Sequence, residues 1–315
     1  MLIALLLLLA GLVVLTLAAD RFVLSATRVS HVLGLSPILV GALVIGFGTS
    51  APEMLVSALA GARGEIDIAV GNVIGSNTVN LTLVLGMAAL VTPLVTRVET
   101  IRREGVVMFA AMALTTALLW NLELTRIEAG VLIAGMAAAA YLLIRWARRD
   151  PGPPPDLAVD ADPSGRDPSF STGREVAVGF AALLLTLGGA DVLVRGATRL
   201  AAELDISSAF VGLVIVSVGT SLPELATALA AARRGQTDLV IGNVVGSNLF
   251  NALAVLGVAG LAGPGVVAGR FHGVMVLMMV TAAVAGVLVV TGRRLARWEG
   301  AVLLVLFLVL VALSA

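Results

Sequence analysis

The hexapeptide GTSAPE at 48–53, followed by GNVIGSNTVN at 71–80, returns as GTSLPE at 219–224 and GNVVGSNLFN at 242–251, always 171 positions later. Aligned without a gap, residues 40–86 and 211–257 share 21 identities in 47 positions, among them Glu53 with Glu224 and Asn80 with Asn251. The chain therefore carries one functional unit twice. Both copies lie in apolar segments, where an ionisable side chain is costly and by default marks a functional site. Two matching carboxylates in that setting point to a single site built from both halves.

The apolar setting follows from composition. The chain is 59% hydrophobic and 13% charged, with a mean hydropathy of +1.07, whereas soluble domains are about a quarter charged. It reads as an all-α integral membrane protein. Apolar runs of bilayer-spanning length, roughly 17 to 25 residues each, fall at about ten places: 2–19, 33–60, 68–92, 104–120, 127–146, 174–194, 206–232, 239–262, 272–292 and 298–314. The run from Leu2 to Ala19 has no basic n-region of the kind a secretory signal carries. Its flank also recurs, Ala19-Asp20 as Ala190-Asp191 and Ala26-Thr27-Arg28 as Ala197-Thr198-Arg199. It is read as a retained first span.

All 20 basic residues are arginines, and 15 of them fall in the odd-numbered connections between these spans. By the positive-inside rule both termini are expected outside and the central loop in the cytoplasm. Five spans per half is an odd number, so the two halves are expected to enter the membrane in opposite directions, as in many secondary transporters. The expected division is a first repeat at 1–146, a linker at 147–173 and a second repeat at 174–315. The linker holds six of the eleven prolines and is too short for a folded regulatory domain, which takes about 50 residues or more. A prokaryotic inner membrane suits such a chain.

Several chemistries are disfavoured. Cysteine is absent, which removes disulfides, thiolate metal sites and cysteine nucleophiles. There is no HExxH, and His31 and His272 lie near loops at unpaired positions, so no base is available to activate Ser76 or Ser247. The chain is not read as an enzyme, and no cofactor, nucleic acid or protein partner is implied.

The repeated motifs supply oxygen instead. On a helix Thr49 and Ser50 share a face with Glu53, and Thr220 and Ser221 share a face with Glu224. Pro52 and Pro223 lack an N–H, which is expected to free carbonyls at Gly48 and Thr49 and at Gly219 and Thr220. Asn72, Ser76 and Asn80 form a stripe four residues apart, mirrored by Asn243, Ser247 and Asn251. Gly71 and Gly75, like Gly242 and Gly246, have the spacing that lets helices approach closely, here the stripe helix against the Glu-bearing one. Asn72 and Asn243 equally suit hydrogen bonding between helices. Carboxylates, hydroxyls, amide oxygens and carbonyls are hard ligands, suited to calcium or sodium. Two ionised Glu side chains balance one calcium or two sodium ions, so either load fits and both together do not. Mutual exclusion of that kind is the physical basis of antiport.

At these residues the chain resembles the calcium/cation antiporter superfamily, in particular the sodium/calcium exchanger branch and its short bacterial members, whose repeat motifs are GTSxPE and GNxxGSN. The resemblance implies ten helices in two inverted five-helix repeats, with four core helices around the ions and the first and sixth sliding as a gate. It implies a calcium site of Glu53 and Glu224 carboxylates with Thr49 and Thr220 carbonyls. It implies sodium sites at Ser50, Ser76, Ser221 and Ser247, with Gly46 and Ser217 contributing backbone. Asn251 is a departure, since some close relatives place Asp there. The function expected is sodium/calcium antiport by alternating access, with three sodium ions per calcium. Proton- or potassium-coupled exchange on the same fold, and a cation channel with the Glu pair as a selectivity ring, are the alternatives.

Overall fold

The computed structural model describes residues 1–95, 101–149, 171–204, 217–292 and 294–314. The linker expected at 147–173 lies almost wholly outside the described residues. The helical segments are α1 (Leu2–Leu33), α2 (Pro37–Thr49), α3 (Ala51–Ala62), α4 (Ile66–Val91), α5 (Arg103–Asn121), α6 (Arg126–Arg149), α7 (Thr172–Glu203), α8 (Ser217–Thr220), α9 (Leu222–Arg233), α10 (Thr237–Ala262), α11 (Phe271–Gly292) and α12 (Arg297–Ser314). Among the described residues, seven helices are long and apolar enough to cross a membrane, or eight when the bent pair α2–α3 is taken as one span. The two further spans expected are α12, which opens on charged Arg297 and Glu299, and 206–232, of which only α8 and α9 are described.

Two expected boundaries are corrected. The runs 2–19 and 174–194 are the apolar parts of helices α1 and α7, each 32 residues long. Nothing between Asp20 and Leu33 breaks a helix, and α1 stops only at Gly34, whose φ of 62° makes a left-handed cap that glycine adopts without penalty. A helix of that length spans about 48 Å, well beyond a hydrocarbon core of about 30 Å, so its charged end stands clear of the lipid tails. There Arg21 and Arg28 both bond Glu175 of α7, at 2.8 and 2.9 Å. Along the rest of their length α1 and α7 touch backbone to backbone. A Cβ on Gly11 would run into Leu193, one on Gly189 into Leu15, and one on Gly196 into Leu8. This is the small-residue packing by which membrane helices associate.

The layering fits a protein that meets lipid on its outside. Helices α4 and α10 are enclosed by the others, with Val70, Val73, Ile74, Val240 and Leu249 fully buried, while α1 turns Leu5, Leu9, Leu12 and Leu17 outward. Four two-residue strands qualify the all-α expectation: β1 (Leu94–Val95), β2 (Glu123–Leu124), β3 (Gly265–Val266) and β4 (Arg294–Leu295). β1 pairs antiparallel with β4, Leu94 facing Leu295, and β2 with β3, Leu124 facing Gly265. A shift of 171 positions converts one pairing into the other. The halves are thus tied at two equivalent places, each half supplying one strand to each tie.

Candidate functional site

The site begins at two breaks in helical backbone. Between α2 and α3 the helix bends by 47°, with Ser50 at φ −82° and ψ 9°. Between α8 and α9, Ser221 takes φ −87° and ψ 6°. In both copies the prolines, Pro52 and Pro223, sit in the first turn of the new helix, where the missing N–H costs nothing. The break places Glu53 and Glu224 in the first turns of α3 and α9, where a helix N-terminus favours negative charge. One expectation is corrected: the Gly48 carbonyl is not free, because the tight turn at Ser50 lets capping N–H groups bond both Gly46 and Gly48.

The carboxylates are enclosed, Glu53 at 0% and Glu224 at 1% exposure, and lie within electrostatic reach of one another. Ser50 in the first half donates to Glu224 Oε1 in the second at 2.9 Å. Within each half the arrangement repeats: Ser76 Oγ is 3.5 Å from Glu53 Oε1, and Ser247 Oγ is 3.5 Å from Glu224 Oε1. Ser247 also stands 3.4 Å from the Gly46 carbonyl of the other half and 3.5 Å from Asn243 Oδ1. One hydroxyl proton serves one acceptor, so acceptors outnumber donors here. Thr49 borders Glu224, and Thr220 borders Glu53. The Ser217 side chain lies outside the described residues.

The amide stripes divide by role. Asn72 donates to the Glu53 carbonyl at 3.3 Å and to Ser57 at 3.0 Å, while Asn243 donates to the Glu224 carbonyl at 3.2 Å and to Thr227 at 3.2 Å. These two are structural ties that hold the Glu-bearing turns. Asn80 and Asn251 differ: both are fully buried, and neither polar atom of either side chain has a protein partner. They sit where α4 and α10 widen into π turns, at Asn80–Val84 and Phe250–Val255, a local form frequent at functional sites. The turn bearing Asn80 packs on α9, which carries Glu224, and the turn bearing Asn251 packs on α3, which carries Glu53.

The glycine pairs do something other than expected. Gly242 and Gly246 of α10 meet α2 of the opposite half, where added Cβ atoms would strike Ile38, Gly41 and Ala42 backbone. The close glycine approach therefore joins the halves, while α10 also packs on α9 as expected. Gly71, by contrast, faces the Phe271 ring at ordinary contact distance.

Asn77 and Asn248, which end the two GSN tripeptides, turn their amides elsewhere, Asn77 to Met278 Sδ at 3.8 Å and Asn248 to the Val244 carbonyl at 2.7 Å. Both are buried with an unpartnered Oδ1. At the site itself, Oε2 of each Glu, Oδ1 of Asn80 and Asn251, and Oγ of Ser221 are five buried oxygens facing no protein donor. Buried polar atoms are normally paired, and unpaired oxygens beside two carboxylates have the chemistry that suits a hard cation. Among the described residues no group of three acidic or histidine side chains gathers anywhere. A cation bound here would be held largely by neutral oxygens.

A family model described as sodium/calcium exchanger protein matches residues 3–145 and 175–315. The chain belongs to that family. Within the family it is 36% identical over 312 residues to CaxA of Alkalimonas amylolytica, covering 98% of this chain and 97% of the relative. It is 32% identical over 335 residues to the sodium/calcium exchanger MaX1 of Methanosarcina acetivorans, covering 96% and 95%. The structure superposes on the sodium-calcium exchanger NCX_Mj, solved after soaking with 10 mM Na+ and 10 mM Sr2+, with a TM-score of 0.84 and 28% identity over 99% of this chain and 98% of that one. Exchanger-family membership accounts for the paired motifs and for the family match stopping on either side of residues 146–174.

Proposed function

We propose that this chain is a secondary antiporter that exchanges sodium for calcium by alternating access around one central site. The observation that carries the reading is the hydrogen bond from Ser50 to Glu224 across the halves, within a shell of mirrored contacts to both carboxylates. Glu53 and Glu224, with the carbonyls of Thr49 and Thr220, hold calcium. Ser50, Ser76, Ser221 and Ser247, with both Glu residues and the backbone at Gly46 and Ser217, hold sodium. Asn80 and Asn251 stand between the two sets and offer amide oxygens to either load. Asn72 and Asn243 support the Glu-bearing turns and ligate no ion.

The physical logic is charge balance in a medium of low dielectric. With neither ion bound, two like charges face each other unscreened, and moving that arrangement past the membrane interior is prohibitive. One calcium, or sodium ions in sufficient number, neutralises the pair and permits the switch. At three sodium ions per calcium the cycle moves one net positive charge, so exchange responds to voltage. The architecture that serves this is ten spans in two inverted five-helix repeats at 1–146 and 174–315, with 147–173 as a cytoplasmic linker and both termini outside, in a prokaryotic inner membrane. The match of the family model to both halves and the interchangeable strand ties support this division.

The test is radioactive calcium uptake into proteoliposomes preloaded with sodium. Uptake that needs the outward sodium gradient, saturates with calcium and rises when the interior is made positive by an imposed potential supports three-for-one exchange. Uptake driven equally by a proton or potassium gradient without sodium would replace sodium as the counter-ion. Large unitary currents would make the chain a channel.

A further inference from the structure

Asp20 on α1 and Arg234 at the end of α9 form a two-armed ion pair, at 2.9 and 2.6 Å. Their repeat equivalents, 171 positions away, are Asp191 on α7 and Arg63 at the end of α3. Those two do not meet. Asp191 is bound within its own helix to Arg195 at 2.7 Å, and Arg63 has no ion-pair partner among the described residues. The packing has the same asymmetry: α1 lies along α9, whereas among the described residues α7 scarcely touches α3. The α1–α7 unit is thus docked along α9 and not along its repeat equivalent α3.

We propose that Asp20–Arg234 and Asp191–Arg63 are two latches that close alternately, one in each access state of the transport cycle. The proposal rests on the alternating-access reading above. In a protein of two equivalent halves, the second access state is reached when the halves exchange conformations. What α1 now does to α9, α7 then does to α3, and Asp191 arrives at Arg63 as Asp20 leaves Arg234. The backbone contacts at Gly11, Gly189 and Gly196, with Glu175 bridging Arg21 and Arg28, keep α1 and α7 together, so closing one latch opens the other. Arg63 and Arg234 cap the ends of α3 and α9, Arg234 and Asp20 are partly exposed at 24% and 49%, and Asp191 is exposed at 58%, so a pair can break and re-form without stranding a charge in lipid.

The two latches are not equally strong. Asp191 is held between turns by Arg195, but the position equivalent to Arg195 is Leu24, so Asp20 has no such competitor on its own helix. The Asp20–Arg234 latch therefore closes more readily, in line with the state seen. With the orientation proposed above it seals the cytoplasmic face.

The chain has no cysteine, so pairs can be installed cleanly. Asp20→Cys with Arg234→Cys, Asp191→Cys with Arg63→Cys, and all four together are reconstituted and treated with a short bifunctional methanethiosulfonate. Bridges are read by mass and sodium-driven calcium flux by isotope. Each double variant is expected to bridge, to lose at least about tenfold in flux when bridged, and to recover with reductant. The fourfold variant is expected to carry one bridge or the other in any molecule. Both bridges in the same molecule, failure of the Asp191→Cys, Arg63→Cys pair to bridge in flux-competent protein, or undiminished flux through a bridged chain would each overturn the latches. Absence of sodium-driven flux in the unaltered protein would instead overturn the exchange reading, while the bridge pattern by mass still reports whether the two closures exclude one another.

Discussion

Ser50 donates its hydroxyl proton to Glu224 Oε1 at 2.9 Å across 174 positions of sequence, and its repeat equivalent, Ser221, makes no corresponding bond to protein. The site is therefore built by symmetry but not occupied symmetrically by its own donors. Glu224 has a fixed partner from the other half, while Ser221 leaves its oxygen open. The protein's own donors leave the shell around the two carboxylates incomplete.

The first consequence concerns the carboxylates. Glu53→Gln or Glu224→Gln keeps the shape and removes the charge that calcium must balance. Each is expected to reduce sodium-driven calcium flux at least about a hundredfold, which corresponds to about 2.7 kcal/mol. Thermal unfolding in detergent should stay level or rise, since a neutral amide is easier to bury than an unmatched carboxylate. Flux retained in either variant would remove that residue from the site.

Asn80→Leu and Asn251→Leu remove amide oxygens that have no protein partner. Stability is expected to change by less than about 1 kcal/mol, because no protein hydrogen bond is lost, while the calcium concentration for half-maximal exchange rises about tenfold. A large loss of melting temperature with unchanged half-saturation would make these residues structural. Asn72→Leu and Asn243→Leu are expected to show that opposite pattern, since their amides hold the backbone at Glu53 and Glu224.

Gly246→Ala sets a methyl group against Ala42 backbone, which cannot give way as a side chain would. It is expected to destabilise by at least about 1–3 kcal/mol, read as a lower unfolding temperature in detergent. Gly71→Ala meets only the Phe271 ring at 3.6 Å and should be close to neutral. Equal effects would contradict the packing of α10 across the halves.

Glu175→Gln takes one charge from between Arg21 and Arg28. Glu175 is 8% exposed and the arginines are about a third exposed, so solvent moderates the loss to about 1–2 kcal/mol. The loss is expected to shrink in high salt. A variant as stable as the native chain at every salt concentration would show that α1 and α7 are held by their glycine contacts alone.

Much of this site was legible because the chemistry sits in two local motifs with one spacing. The Thr49, Ser50 and Glu53 turn, the Asn72, Ser76 and Asn80 stripe and their repeat copies are read directly from helical periodicity, but that Ser50 bonds Glu224 of the other half and not Glu53 of its own is not. What was not legible depends on the three-dimensional relation of the halves. Nothing in the sequence says that Gly242 and Gly246 face α2, or that Asp20 reaches Arg234 in place of its neighbour Arg21. The ends of α1 and α7 were misread because hydropathy marks where lipid stops, and a helix continues until a breaker such as Gly34 ends it. The π turns at Asn80 and Asn251 leave no composition signal, and the short strand ties are set by geometry between distant loops.

The most direct measurement of the central claim is equilibrium binding of radioactive calcium to purified protein in detergent, titrated with sodium. The account predicts one calcium per chain, displaced by sodium more steeply than one-for-one, and lost entirely in Glu53→Gln and in Glu224→Gln alike. Two calcium ions per chain, or one of these variants still binding calcium at native affinity, would show that the carboxylates serve separate sites and would contradict it.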